Sequence, residues 1–122
     1  MKLACVLLAI PLVANAFINA VQAPRHFSEG WPVHAQHHLL DHITAAIGLS
    51  VVSLLIVFGP LRRRERWAWW ALVAAGIALF GGYWLATATL GLGTPSTVPN
   101  ASQAVQAVLY VFGLGLAVRR SR

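Results

Sequence analysis

Four long apolar stretches limit what this chain can fold into more than any other feature of its sequence. They cover residues 3–23, 35–59, 67–90 and 102–118, so each contains 17 to 25 residues. An α-helix of about 20 apolar residues crosses the roughly 30 Å hydrocarbon layer of a lipid bilayer. The sequence therefore predicts an all-α polytopic membrane protein, with one domain over residues 1–122 built as a bundle of four transmembrane helices.

The composition of the chain supports this fold class and excludes others. Only 10% of the residues are charged, whereas a soluble domain carries about 25%. The net charge is +6, but the basic residues interrupt apolar stretches instead of covering a soluble core, so we do not expect nucleic-acid binding. The single cysteine, Cys5, lies in the first apolar stretch and allows neither an intrachain disulfide nor a cysteine metal cluster.

The distribution of basic residues predicts the orientation of the helices. If the chain crosses the bilayer four times, eight of its nine Lys and Arg residues fall on one side and Arg25 alone falls on the other. The positive-inside rule then places both termini and the Arg62–Arg66 loop in the cytoplasm. The first stretch also has features of a cleaved secretory signal, but Pro24 blocks its second candidate cleavage site, so we expect a retained membrane helix.

Polar side chains within the apolar stretches indicate where a functional site would lie. Membrane helices carry amides and histidines where these face protein, water or a ligand, and in all four stretches they lie in the half that the charge rule places outside. We therefore expect one polar pocket in the outer half of the bundle, closed by an inner half too apolar for a channel. The amides are alternatively interhelical hydrogen bonds. The residues expected to contact a ligand are Asn15, Asn19, Gln22, Trp31, Tyr83, Thr87, Gln103, Gln106 and Tyr110.

The second stretch begins with a histidine cluster that is the predicted centre of this pocket. The cluster consists of four histidines, of which His34 directly precedes the stretch, and Asp41. At 100° per residue these five residues lie within an arc of roughly 140° on a helix. His34 with His38, and His38 with His42, have the four-residue spacing at which two imidazoles bind one metal ion. Zinc, copper and iron all suit imidazole and carboxylate ligands. The expected metal ligands are His34, His37, His38, Asp41 and His42, with His26 from the preceding loop.

Other interpretations of the same histidines stay open. Without a metal they form a candidate proton shuttle, because imidazole titrates near neutrality. They also suit simple capping and headgroup contacts at a helix end. A haem held by histidines on opposite helices is not expected within one chain, since all intramembrane histidines lie on one helix; an oligomer would have to supply the second ligand.

Resemblances to known families start from these residues. The pattern His34-x-x-His37-His38 is similar to one histidine box of the membrane fatty-acid desaturases, but those enzymes need several boxes and this chain has five histidines. A longer pattern resembles a family of small four-helix bacterial membrane proteins without an assigned activity, which implies the fold, a bacterial inner membrane, and a role for His26, Trp31, His34 and His38. The architecture is also similar to that of emopamil-binding-type membrane proteins. The longer pattern consists of His26-Phe27-x-x-x-Trp31-Pro32-x-His34-Ala35-x-x-His38 and the later run Gly59-Pro60-Leu61-Arg62-Arg63.

Together these features predict a small integral protein of the bacterial inner membrane, with a histidine- and aspartate-rich pocket on the extracytoplasmic side. We expect the pocket to bind a transition metal or a lipophilic ligand and, in an enzyme, to support acid–base or metal-assisted chemistry on that ligand. The alternative is a non-catalytic accessory subunit of a larger membrane complex, in which the histidines contact a partner protein or a second copy of the chain. A transporter is disfavoured because the sequence contains no inverted repeat.

Overall fold

The computed structural model describes residues 1–28, 30–90 and 97–118, and within these ranges it is helical with no strand. Two π-helical turns interrupt the α-helices: Val57–Leu61 after the second helix and Ile77–Gly81 within the third apolar stretch. The α-helices are α1 (Lys2–Ser28), α2 (Val33–Ile56), α3 (Arg66–Gly76), α4 (Gly82–Leu90) and α5 (Thr97–Val118).

Four helical segments in the described part of the chain are long and apolar enough to cross a membrane: Lys2–Gln22, Val33–Phe58, Arg66–Thr89 and Ala101–Val118. The prediction of an all-α four-helix membrane bundle is therefore confirmed. These segments are called the first to fourth spans below. The third span consists of α3, the second π-helical turn and most of α4.

The helices extend beyond the predicted boundaries at two prolines. α1 continues through Pro24 to Ser28, because a proline removes one backbone hydrogen bond without necessarily ending the helix. α5 begins at Thr97, five residues before the predicted start at residue 102. Pro99 then lies in the first turn of α5, where backbone N–H groups have no partner within the helix, so its missing N–H does little harm.

The first span is central in the bundle, because it packs against both the second and the fourth spans, and α3 closes the ring against the same two. The Cys5 thiol donates to the Val57 carbonyl over 3.6 Å, and Leu8 lies against Gly113. Both contacts require antiparallel neighbours. One end of the bundle therefore carries Met1, the Arg62–Arg66 loop and the end of α5, and is called the arginine end. The opposite end, where α2 begins, is called the histidine end.

The main hydrophobic core lies toward the arginine end and depends on close helix contacts. A Cβ atom on Gly113 would lie 2.8 Å from Leu8 Cγ, and one on Gly76 would lie 2.5 Å from Tyr110 Cε1. Such distances are too short for any side chain, so glycine is required at both contacts. The core cluster contains Ala4, Cys5, Leu8, Leu12, Val57, Leu61, Ala68, Leu72, Phe80, Tyr110 and Ala117.

Two side-chain hydrogen bonds join the third and fourth spans within this packing. The Tyr110 hydroxyl donates to the Leu72 carbonyl over 2.8 Å, and Trp69 Nε1 donates to the Leu114 carbonyl over 3.0 Å. Beyond the second π-helical turn the packing is weaker among the described elements, since α4 contacts chiefly the turn that precedes it. The third span is thus held firmly toward the arginine end and loosely toward the histidine end.

The loop at the arginine end contains an exposed ion pair. Arg63 Nε lies 2.7 Å from Glu65 Oε1, and Trp67 Nε1 donates to Glu65 Oε2 over 2.6 Å. The hydrogen bond from Arg63, followed by that from Trp67, holds the pKa of the Glu65 carboxyl below its usual value. Arg64 adopts a φ of 63° in the same loop, which reverses the chain between the second and third spans.

Candidate functional site

The histidine cluster occupies the first turns of α2. The chain turns from α1 toward α2 through Gly30, whose φ of +70° favours glycine. Trp31 follows in the connection and is exposed, and its carbonyl accepts a hydrogen bond of 2.7 Å from Gln36 Nε2. α2 then begins at Val33 after Pro32. This local geometry presents five polar side chains on one surface, called the histidine face: His34, His37, His38, Asp41 and His42.

Within the histidine face four of the side chains form two pairs, and the two members of each pair are one helical turn apart. His38 Nε2 lies 3.1 Å from His34 Nε2, and the two rings meet edge to face with centroids 4.4 Å apart. His37 Nδ1 lies 3.2 Å from Asp41 Oδ2. His37, His38 and Asp41 together offer three ligand atoms within 4.8 Å of one another, which makes them a candidate metal site.

This spacing is close to what a transition metal requires. Two nitrogens bound to one tetrahedral zinc ion at about 2.0 Å lie roughly 3.3 Å apart, and the His34–His38 nitrogens are already 3.1 Å apart. In the described arrangement that pair shares one hydrogen bond, so one ring donates and the other accepts. A metal ion held by this pair would take the place of the shared proton. His34 and His42 lie outside the group of three, so His38 is the residue common to that group and to the His34–His38 pair.

The histidine face is directed away from the interior of the bundle, which differs from the expected enclosed pocket. The side chains of His37 and Asp41 are 73% and 65% exposed, and His34, His38 and His42 are exposed as well. The reason lies in the opposite side of α2, because at 100° per residue the face is centred roughly 180° from the direction of Ile43. The buried stripe on that opposite side consists of Ile43, Ala46, Ser50 and Ser53.

A second polar group lies inside the bundle, on α1 and α5. Asn15 and Gln106 are only 4% and 5% exposed, and Asn19 and Gln103 are partly buried. These four residues are called the amide cluster. Asn19 Nδ2 donates to the Asn15 carbonyl over 2.9 Å and to Asn15 Oδ1 over 3.2 Å. Gln106 Nε2 donates to Ser102 Oγ over 3.1 Å.

The other residues expected at a ligand site are dispersed. Tyr110 is buried, but its hydroxyl already donates a hydrogen bond to the Leu72 carbonyl. Tyr83 and Thr87 are partly buried on α4, where the Thr87 hydroxyl donates to the Tyr83 carbonyl over 2.9 Å. Gln22 is exposed. The side chain of His26 lies outside the described residues, so its part in the site stays a prediction.

Two buried hydroxyl groups were not expected as site residues. Ser50 and Ser53 are completely buried, and the Oγ atom of each has no hydrogen-bond partner among the described residues. They lie three residues apart on the packed stripe of α2, which continues to Ala46 four residues before Ser50 and to Ile43 three residues before Ala46. These small and apolar residues recur at helical spacing in the sequence, and that pattern identifies the packed side of α2.

Comparison of the chain with protein families, with curated proteins and with solved structures gives no match. The resemblances drawn from the histidine motif and from emopamil-binding-type proteins therefore stay predictions.

Proposed function

We propose that this protein binds a transition-metal ion on the histidine face, as an integral protein of a bacterial inner membrane with that face on the extracytoplasmic side. The orientation rests on the positive-inside rule, because the Arg62–Arg66 loop, Lys2 and the end of α5 share the other end of the bundle. The bacterial membrane rests on the resemblance of the histidine motif.

One observation carries the metal assignment. Four candidate ligands, His34, His37, His38 and Asp41, lie in two close pairs on consecutive turns of one helix. Imidazole with carboxylate suits zinc, copper or iron. Protein ligands from a single exposed helix leave coordination positions open to water or to a further ligand, which is the arrangement that supports metal-assisted chemistry. A lipophilic molecule in the outer leaflet could reach these positions from the bilayer.

A second candidate function is favoured by the direction of the histidine face. The face lies opposite the side of α2 that packs on the first span, so a membrane-protein partner or a second copy of this chain could cover it without disturbing the bundle. In that case the protein is an accessory subunit, and the other chain supplies the remaining ligands of the ion.

Elemental analysis of the tag-free protein, purified in mild detergent, tests the metal assignment. We expect about one zinc, copper or iron ion per chain after reconstitution with that ion. His38→Ala should lose the ion, because His38 belongs to both the His34 pair and the group of three. Gln22→Ala, which changes an exposed polar residue of α1, is the control and should keep it.

Two outcomes separate the candidates. Metal bound by a monomer, as judged by light scattering, supports a site complete in one chain, whereas metal bound only in a dimer or with a co-purified partner supports the accessory subunit. If the protein binds none of the three ions in any assembly, the metal assignment is wrong.

A further inference from the structure

The amide cluster brings polar groups from two helices to the same depth in the bundle. Leu8 on α1 lies against Gly113 on α5. The two helices are antiparallel. Moving seven residues, roughly two turns, toward the histidine end therefore leads from Leu8 to Asn15 on α1 and from Gly113 to Gln106 on α5, so Asn15 lies opposite Gln106. Both of these side chains are buried. One more turn brings Asn19 opposite Gln103, so the four amides form a continuous polar seam.

The glutamines of this seam also face the third span. At 100° per residue, Gln106 lies within roughly 20° of the direction of Gly113 and roughly 40° of that of Tyr110, and Gln103 lies roughly 20° on the other side of Tyr110. Tyr110 itself lies against Gly76 and Phe80 of the third span. The amide cluster therefore lies between the first, third and fourth spans. It lies one turn further toward the histidine end than the contact of Tyr110 with Phe80 in the second π-helical turn.

Two oxygen atoms in the cluster lack partners. Gln103 Oε1 and Gln106 Oε1 are both buried and accept no hydrogen bond from the described residues, although the Gln106 amide nitrogen donates to Ser102 Oγ. A buried amide oxygen without a donor is unfavourable, and it is more so where no water is available. The cluster can therefore accept a hydrogen bond from a donor outside the described residues.

The surroundings favour a neutral donor with an apolar body. The described residues include two carboxylates, Asp41 on the exposed histidine face and Glu65 at the arginine end, and neither lies at the depth of Gln106 to balance a bound cation. The cluster lies within the membrane spans, and the contacts of α4 among the described elements are chiefly with the turn that precedes it. Trp84 and Leu85 on α4 are exposed, so α4 presents apolar surface at the bilayer.

We propose that the amide cluster is a binding site, separate from the histidine face, for a neutral lipophilic molecule whose hydroxyl group shares its one proton between Gln103 Oε1 and Gln106 Oε1 in a bifurcated hydrogen bond. The apolar part of the molecule lies between α4 and α5. This proposal does not depend on metal binding at the histidine face.

Photolabelling of the full chain in lipid nanodiscs, after removal of metal with a chelator, tests this site. The probe is a hexadecanol that carries a diazirine in its chain, and the matched probe is its methyl ether, which has lost the donor. We expect saturable labelling of peptides from α4 and α5 by the alcohol, about tenfold stronger at low concentration than labelling by the ether.

Variants locate the site within the protein. Gln106→Leu retains the approximate size of the side chain and removes both the buried Oε1 and the hydrogen bond to Ser102 Oγ. It should fold and lose about tenfold in labelling by the alcohol. Gln103→Leu provides an independent second test, and Gln22→Leu, at an exposed amide of α1, should label as the unchanged protein does. Equal labelling by alcohol and ether, or unchanged labelling of correctly folded Gln106→Leu and Gln103→Leu, would overturn the proposal. His38→Ala should label normally, so a failure of the metal assignment is distinguishable from a failure here.

Discussion

The arginine end and the histidine end of this bundle differ in how tightly their helices pack and in whether their polar groups have hydrogen-bond partners. At the arginine end, glycines allow helices to touch, and the Tyr110 and Trp69 side chains satisfy backbone carbonyls on neighbouring helices. At the histidine end, two buried amide oxygens have no partner among the described residues, the histidines of the histidine face are exposed, and α4 has few contacts with the other described helices. Tight packing and the two proposed binding sites are thus separated along the bundle, as in proteins whose binding elements come from their least stable regions.

The largest expected effect of a substitution is at the closest helix contact. Gly113→Ala places a Cβ atom 2.8 Å from Leu8 Cγ and 3.2 Å from the Leu8 backbone nitrogen. Because the backbone cannot move aside without separating α1 from α5, we expect the free energy of unfolding to fall by about 2 kcal/mol. Reversible unfolding in mixed micelles with increasing SDS measures this change.

The same helix offers a matched control for that substitution. A Cβ atom on Gly115 would meet nothing within 4 Å, so Gly115→Ala should leave stability unchanged or raise it slightly, since alanine favours helix. Equal losses in both variants would show that helix contact at the arginine end is not what stabilises the bundle.

A smaller effect compares the two ends directly on α5. Tyr110→Phe removes the hydroxyl that donates to the Leu72 carbonyl and should lower the free energy of unfolding by about 1 kcal/mol. Gln106→Leu, one turn away, removes the hydrogen bond from Nε2 to Ser102 Oγ together with a buried oxygen that has no partner among the described residues. These two effects oppose each other, so the loss should be smaller than that of Tyr110→Phe. The same unfolding assay measures both. If Gln106→Leu lowers stability more than Tyr110→Phe does, the amide cluster is a structural joint rather than a binding site.

The smallest effect concerns the loop at the arginine end. Hydrogen bonds from Arg63 and Trp67 lower the pKa of the Glu65 carboxyl, so its contribution to loop structure is complete above the ordinary glutamate pKa of about 4.3. That contribution is lost as the pH falls through the lowered pKa of the folded protein.

Tryptophan fluorescence from the loop should therefore titrate with a midpoint below the ordinary glutamate value. Glu65→Gln should abolish this transition because it removes the titrating group. A midpoint at or above the ordinary value in the unchanged protein would contradict the hydrogen bonds described for this loop.

The sequence predicts the spans well because the bilayer imposes one strong requirement, a helix of about 20 apolar residues. It predicts the ends of the helices less well. A proline near a helix end, such as Pro24 or Pro99, either ends the helix or continues it at similar cost. The π-helical turns depend on packing between helices, which a single helix does not reveal.

The sequence also predicts that the histidines share one face of α2, but it assigns that face wrongly to the bundle interior. A polar arc shows which residues lie together, and not which neighbour they meet. The direction of the interior is instead indicated by the stripe of small and apolar residues on the opposite side of α2, which includes Ala46 and Ser50. The amide cluster was predicted as part of the same pocket, and its separation from the histidine face depends on contacts between helices that only the fold provides.

The π-helical turn Ile77–Gly81 gives the third span a property beyond its local geometry. Such a turn contains one residue more than the α-helix it interrupts. The extra residue is absorbed within the turn, so deleting one residue there, for example Ala78, would restore regular winding and leave the residues beyond it facing nearly the same way. Tyr83 and Thr87 would keep the surface that they present, and the contact of Gly76 with Tyr110 would stay in place. The same deletion in a regular part of α3 or α4 would rotate every residue beyond it by about 100°, so this turn is where the third span can change its chain length by one residue without rebuilding the bundle.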